Sequence, residues 1–248
     1  MKRIDRLTNL LMYLNTNKDF LDFDEKNRAF LSNTSCKEIA LALQKLLASG
    51  ITPSELYRMW QRNKKVLPDQ TAKLRAELPA NHILKRALAE HEIILCFIAD
   101  LDDANLDVQK LDYASSSSLE IRRLAQLAGS LVHSQQHRER EQQIIYPELR
   151  LRNYSDLLKI TNEQHRKIGT NNRKLKDLVW QIDSTKFNVN FDDFKRQLAG
   201  LVNYLVPTVR KHIFLENSVI FPLALDIIDD QKVWKKMKEV SDQIGYCI

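Results

Sequence analysis

The amino-acid sequence predicts an all-α protein, an up-down four-helix bundle preceded by an N-terminal helical module. Three observations predict it. Among 248 residues there are 5 Gly and 6 Pro, while Leu, Ala, Lys, Arg, Gln and Glu abound, a balance that favours long helices over sheets. Apolar residues recur every three or four positions along extended stretches, the spacing of one helix face. Helix start and stop signals then cut the chain into long segments joined by modest connections, as in antiparallel bundle neighbours.

Residues 1–67 read as a helical leader and 78–248 as the bundle with a short C-terminal helix. In the leader, Ser35-Cys36-Lys37-Glu38 is a capping box opening a helix that Gly50 ends. Thr52-Pro53-Ser54-Glu55 is a second box, with Pro at the first helical position. The helix after it carries Leu56, Met59 and Trp60 on one face. Nothing in the leader has metal-ligand or nucleophile-base spacing, so it reads as a packing module or a docking site for a protein partner. A polar stretch from Pro68 to Pro79 joins it to helices expected over 80–104, 118–150, 155–183 and 191–228, with a terminal helix over 230–243. Ser117 with Glu120 forms a capping box after the Ser115–Ser118 run, taken as a loop, and Asn190 is the expected N-cap of the fourth long helix.

Composition excludes several classes. No apolar run approaches bilayer length. Asp5, Arg6 and Asn9 interrupt any signal-peptide core in the opening MKRIDRLTNLLMYLN. A cytoplasmic protein is expected. Cys36, Cys96 and Cys247 are odd in number, far apart and in no CxxC, which supports neither a disulfide framework nor a zinc ribbon. Cys36 falls in the first turn of its helix, a position that favours a thiolate, yet an inert thiol is the expectation. The net charge of +6 is modest, and the cluster Lys232, Lys235, Lys236 and Lys238 lacks the aromatic interleaving of a nucleic-acid platform. It reads as a solvated face.

The chemistry lies in the histidines. His137-Arg-Glu-Arg-Glu141 and His212-Ile-Phe-Leu-Glu216 each place His and Glu one helical turn apart. Both continue into Ile-aromatic-Pro, as Ile145-Tyr146-Pro147 and Ile220-Phe221-Pro222, so the shared pattern H-x3-E-x3-I-(aromatic)-P recurs at a 75-residue offset. Upstream, His91 precedes His137 by 46 positions and His165 precedes His212 by 47. Each half is a helix with one His followed by a helix with His and Glu, an internal repeat whose matched elements are ionisable. Leu124, Leu127, Leu131, Ser134, His137, Glu141 and Ile145 share one stripe, as do Leu205, Val209, His212, Glu216 and Ile220. The His/Glu pairs therefore lie on core lines, where charge is costly unless paired or bound to metal. Arg140, one position off that line, reads as a neutral site. Placing His91 at the depth of His137 requires the 103–117 connection to fold back along the bundle.

Four imidazoles and two carboxylates, with no thiolate, suit a pair of iron ions, with manganese as the alternative. Two glutamates can bridge both metals and two histidines complete each, leaving an open position for a diatomic molecule or peroxide. The candidate ligands are His91, His137, Glu141, His165, His212 and Glu216. His133, one turn before His137, is a candidate fifth ligand or outer donor. His82 points away from His91 on an ideal helix and reads as a surface or packing residue.

His91 in EHEII, His137–Pro147, His165 in EQHRKI and His212–Pro222 resemble the four signature segments of the hemerythrin-like (HHE cation-binding) family, over residues 78–228. The leader LSNTSCKEIALALQKLLASGITPSELYRMW resembles the helical extension of an uncharacterised bacterial branch of that family. The resemblance implies handling of oxygen, nitric oxide or peroxide at a di-iron centre. The four-His, two-Glu count is similar to di-iron proteins that repair iron-sulfur clusters, but their cysteine-bearing leader has no counterpart here. The alternative is a non-catalytic sensor, in which metal oxidation changes how the leader docks. The residues alone do not separate an enzyme from a binding protein.

Overall fold

Helix signals in the leader are realised as hydrogen bonds. In the computed structural model, which describes residues 2–16, 25–65, 67–113, 118–183 and 190–247, α1 spans Lys2–Thr16, α2 Glu25–Ser32, α3 Cys36–Ala48, α4 Pro53–Arg62 and α5 Gln70–Glu77. The Ser35 and Thr52 side chains accept from Glu38 N and Glu55 N, and each glutamate reaches back to its cap, so both capping boxes form. Gly50 has φ +98°, with Gly50 N–H donating to Leu47 O and Ile51 N–H to Leu46 O. That is the Schellman ending, which needs a left-handed residue.

The remaining described elements are helical as well, with no strand among the described residues. They are α6 (Ile83–Gln109), α7 (Leu119–His133), α8 (Gln135–Arg140), a π turn over Glu141–Ile145, α9 (Tyr146–Leu151), α10 (Ser155–Asp183), α11 (Phe191–Leu215), a second π turn over Glu216–Ile220, α12 (Phe221–Ile227) and α13 (Gln231–Ile244). The chain divides into two compact units: Met1–Leu88, Leu151–Asn153 and Ile213–Lys238 form one; Ala89–Arg150, Tyr154–His212 and Glu239–Ile248 form the other.

In the first unit, α1 packs on α3 and α4, and α3 packs on the second π turn and α12. Leu7, Leu11, Ile39, Leu43, Leu56 and Met59 are fully buried there. Tyr57 and Trp60 lay their rings against Phe214 at 5.6 and 5.5 Å. Cys36 is buried, its Sγ 3.6 Å from Gln70 O, and burial pushes its thiol up to about 11. It is the inert thiol, not a thiolate. His82 packs its ring at 4.5 Å on Trp234, and its Nδ1 accepts from Leu84 N–H at the start of α6.

The second unit is the four-helix bundle: α6, the α7–α9 run, α10 and α11 supply its helices, with α7 packed on α10. The third expected helix has the expected span, and Asn190 caps α11 through Asp193 N–H. Three expectations need correcting. The N-cap of α7 is Ser118, without a side-chain cap bond; Ser117 and the rest of that loop, 114–117, lie outside the described residues. The first long helix runs to Gln109 instead of 104, which shortens the connection that was expected to fold back. The second is not one regular helix. It breaks at Ser134, whose hydroxyl donates to Leu131 O, and Asn172 of α10 also donates to that carbonyl at 2.7 Å.

The run then widens into a π turn at Glu141, and α11 does the same at Glu216. In both, the N–H of the aromatic residue reaches back five residues to the glutamate carbonyl, Tyr146 to Glu141 and Phe221 to Glu216. The next residue is proline, which lacks an N–H and crowds the carbonyl four residues back. A widened turn accommodates that carbonyl. Proline alone does not dictate it, since Pro207 lies inside α11.

Because α3 packs on the second π turn, its start signal bears on that turn. Ser35→Ala should cost about 1 kcal/mol of stability in urea denaturation, with Ser35→Thr close to wild type.

Candidate metal centre

The six predicted ligands are all buried, none more than 4% exposed. His91 comes from α6, His137 from α8, Glu141 opens the first π turn, His165 lies on α10 and His212 on α11, all in the bundle unit. Glu216 opens the second π turn, one helical turn after His212 on the same run, and is fully buried.

Within the bundle, Glu141 sits between two imidazole pairs. Its Oε1 is 3.2 Å from His137 Nε2 and 3.7 Å from His91 Nε2, while its Oε2 is 3.3 Å from His165 Nε2. The ligand atoms of His91, His137 and Glu141 lie within 4.8 Å of one another, as do those of Glu141, His165 and His212. The pairs match in geometry: the His91 and His137 rings meet edge-on with centroids 4.5 Å apart, and so do those of His165 and His212. The Tyr146 ring stacks on His165 at 5.6 Å. One carboxylate thus presents a different oxygen to each pair.

A further layer fixes the imidazoles. His137 Nδ1 is 2.8 Å from Glu90 Oε2, and His212 Nδ1 is 2.9 Å from Gln164 Oε1. Both partners are acceptors, so each Nδ1 carries the proton and each Nε2 offers a lone pair inward. The two partners are related by the repeat, each preceding the His of the earlier helix in its half. They differ in charge. Glu90 is 1% exposed and also accepts from Arg140. Burial works against its charge, but His137 and Arg140 prevail and hold its carboxyl down to about 2. Burial likewise opposes protonation of His137, yet the facing Glu141 carboxylate leaves its pKa raised.

Residues 245–247 close over this pair. Arg140 donates to Gly245 O and lies 4.6 Å over the Tyr246 ring; Cys247 N–H and Sγ reach Glu90 Oε1 at 3.1 and 3.2 Å. Burial, aided by Glu90, pushes the Cys247 thiol up to about 12.

Sequence reasoning missed this layer. Arg140, expected to be a neutral position, is 6% exposed and ion-paired to Glu90. It lies three residues after His137 within regular α8, so it shares that histidine's side of the helix. The available signal was the polar residue before each upstream His: Glu90 in EHEII and Gln164 in EQHRKI. His133 is exposed at the end of α7 and belongs to neither ligand group.

The donor set fits a divalent or trivalent cation of middling hardness. It offers imidazole nitrogens and carboxylate oxygens but no thiolate, a donor set that excludes iron-sulfur clusters without selecting one metal. Its Nδ1 partners are the outer layer that orients metal-binding histidines.

The family model described as hemerythrin HHE cation binding domain matches residues 81–224. No curated protein and no solved structure matches the chain. No described helix is long and apolar enough to cross a membrane.

Glu90→Gln keeps the shape but removes the charge behind His137. It should lower metal affinity about 10–100-fold, read by competition with a chelator. Arg140→Ala leaves Glu90 buried without its cation and should cost about 3–5 kcal/mol in urea denaturation. Wild-type stability in that variant would show the pair to be unimportant.

Proposed function

Because the chain belongs to the hemerythrin HHE cation-binding domain family, we propose that it is a non-haem di-iron protein that binds or reacts with O2, NO or peroxide, in iron handling or iron-sulfur cluster repair. The observation that carries the reading is Glu141, whose two oxygens face different imidazole pairs. His91 and His137 would hold one ion and His165 and His212 the other. Glu141 would bridge them, with Glu216, its counterpart in the repeat, as the second bridge. Manganese is the alternative occupant. Bound there, the metal pair supplies electrons and an open coordination position to a small oxidant.

The chain's own residues supply the rest. Glu90 and Gln164 hold the imidazole protons on Nδ1 and keep Nε2 toward the metal side. Tyr146 covers one face of His165. Buried helices exclude bulk water from the carboxylate. A cytoplasmic setting accords with three free cysteines.

A sensor acting through protein contacts is the second reading. What favours it is the packing of α3 and α5 on the π turn that carries Glu216. A change at that glutamate would reach the leader directly. Cleavage of residues 36–48 by a protease should then differ between reduced and oxidised protein, whereas a site that only turns over substrate would leave it unchanged.

Metal analysis of the iron-loaded chain should give close to two irons, with near-ultraviolet absorption in the oxidised state. Saturation at about 1,000 times the dissociation constant should add about 4 kcal/mol of stability. Glu141→Ala and Glu216→Ala should each abolish most of the dinuclear spectrum, while His91→Ala and His165→Ala retain a weakened site. Full metal in the glutamate variants, with complete loss in either histidine variant, would overturn the bridging assignment.

A further inference from the structure

A cleft of about 290 Å³ opens beside the centre within the bundle unit, lined by Arg138, Glu139, His165, Arg166, Gly169 and Arg173 among others. Three guanidinium groups face one carboxylate. Arg166 is engaged with Glu163 in a two-pronged pair at 2.8 and 2.7 Å, and Glu139 takes the Gln135 amide at 2.7 Å. Arg138 is buried, with Nη1 donating to Ser134 Oγ at 3.0 Å, and Arg173 is exposed.

Gly169 sets the shape of the floor. It is buried in the middle of α10, where glycine is a poor helix former. A methyl group built there would meet Arg173 Nη1 at 3.7 Å and Arg138 Nη2 at 3.8 Å, ordinary contacts that packing would tolerate. The glycine thus leaves open the point toward which both guanidinium groups reach. They are close enough for one small oxyanion to accept hydrogen bonds from both, a geometry arginine suits better than lysine. The cleft also touches His165, whose Nε2 lies 3.3 Å from Glu141.

We propose that this cleft binds a small oxyanion between Arg138 and Arg173, over Gly169, beside His165. The binding stands on the cleft alone. Its role as the route by which anionic ligands reach the centre rests on the di-iron reading.

Isothermal titration of the full chain with inorganic phosphate and with nitrite, in metal-free and iron-loaded forms, tests it. Saturable binding is expected in both forms. Arg173→Ala should weaken it at least tenfold, since this exposed side chain can be removed without disturbing the core. Gly169→Ala should weaken it similarly while leaving the melting temperature equal or higher, a combination that structural damage does not produce. Lys176→Ala, exposed on the same helix but outside the cleft, should bind as wild type. No saturable binding overturns the proposal, as does equal weakening by Lys176→Ala. Binding confined to the iron-loaded form and indifferent to Arg173 and Gly169 would place the anion on the metal itself, overturning the cleft but not the di-iron reading. Cleft binding in a chain that takes up no iron would do the reverse.

Discussion

Everything in the bundle answers to one constraint, a carboxylate buried among imidazoles in a helical core. Glu141 is 1% exposed, and an ionised carboxylate at such depth is costly unless charge or metal compensates it. The four histidines that surround it come from four separate helical segments. Folding must therefore bring the helices together before the charge is compensated. A cation that completes the compensation binds the folded state preferentially, so metal and fold support one another.

The repeat makes the two halves alike in ligands but not in what lies behind them. Glu90 supports His137 with a negative charge, itself neutralised by Arg140, while Gln164 supports His212 with a neutral amide. A carboxylate behind an imidazole raises its basicity, so the two imidazole pairs are electronically distinct though their ring geometries match. Two irons held this way would differ in how readily each gives up an electron. The difference originates in single substitutions between the halves: Glu against Gln before the upstream His, and Arg140 against Leu215 at the repeat offset.

Much of this was legible in the sequence because the signals were local or periodic. The capping boxes, Gly50 and Asn190 needed only a few neighbouring residues to act as written. The six candidate ligands stood out because a histidine and glutamate on a core line, twice over, have no ordinary packing role. What escaped depended on phase or on distant partners. A strict 3.6-residue stripe loses register at a π turn, and Arg140 was misread because a position three residues after His137 shares that histidine's helix face. The clasp of Cys247 on Glu90, through its N–H and its Sγ, joins positions 157 residues apart, a separation that no local spacing signals.

The π turns tie these strands together. A π turn costs regular hydrogen bonding and persists where something else over-determines it. Here each begins at the core-line glutamate and ends before the proline of the repeated motif. The widening displaces the following residues around the helix axis, so that the segment after each glutamate presents a different face from the segment before it. In the first unit, that later segment, with α12, forms the surface on which α3 packs. The same few residues therefore set both the placement of a candidate ligand and the docking of the leader. For the sensor reading, this makes Glu216 the natural origin of any signal: a change in its coordination acts on a backbone turn that is already irregular, and the leader lies directly against it.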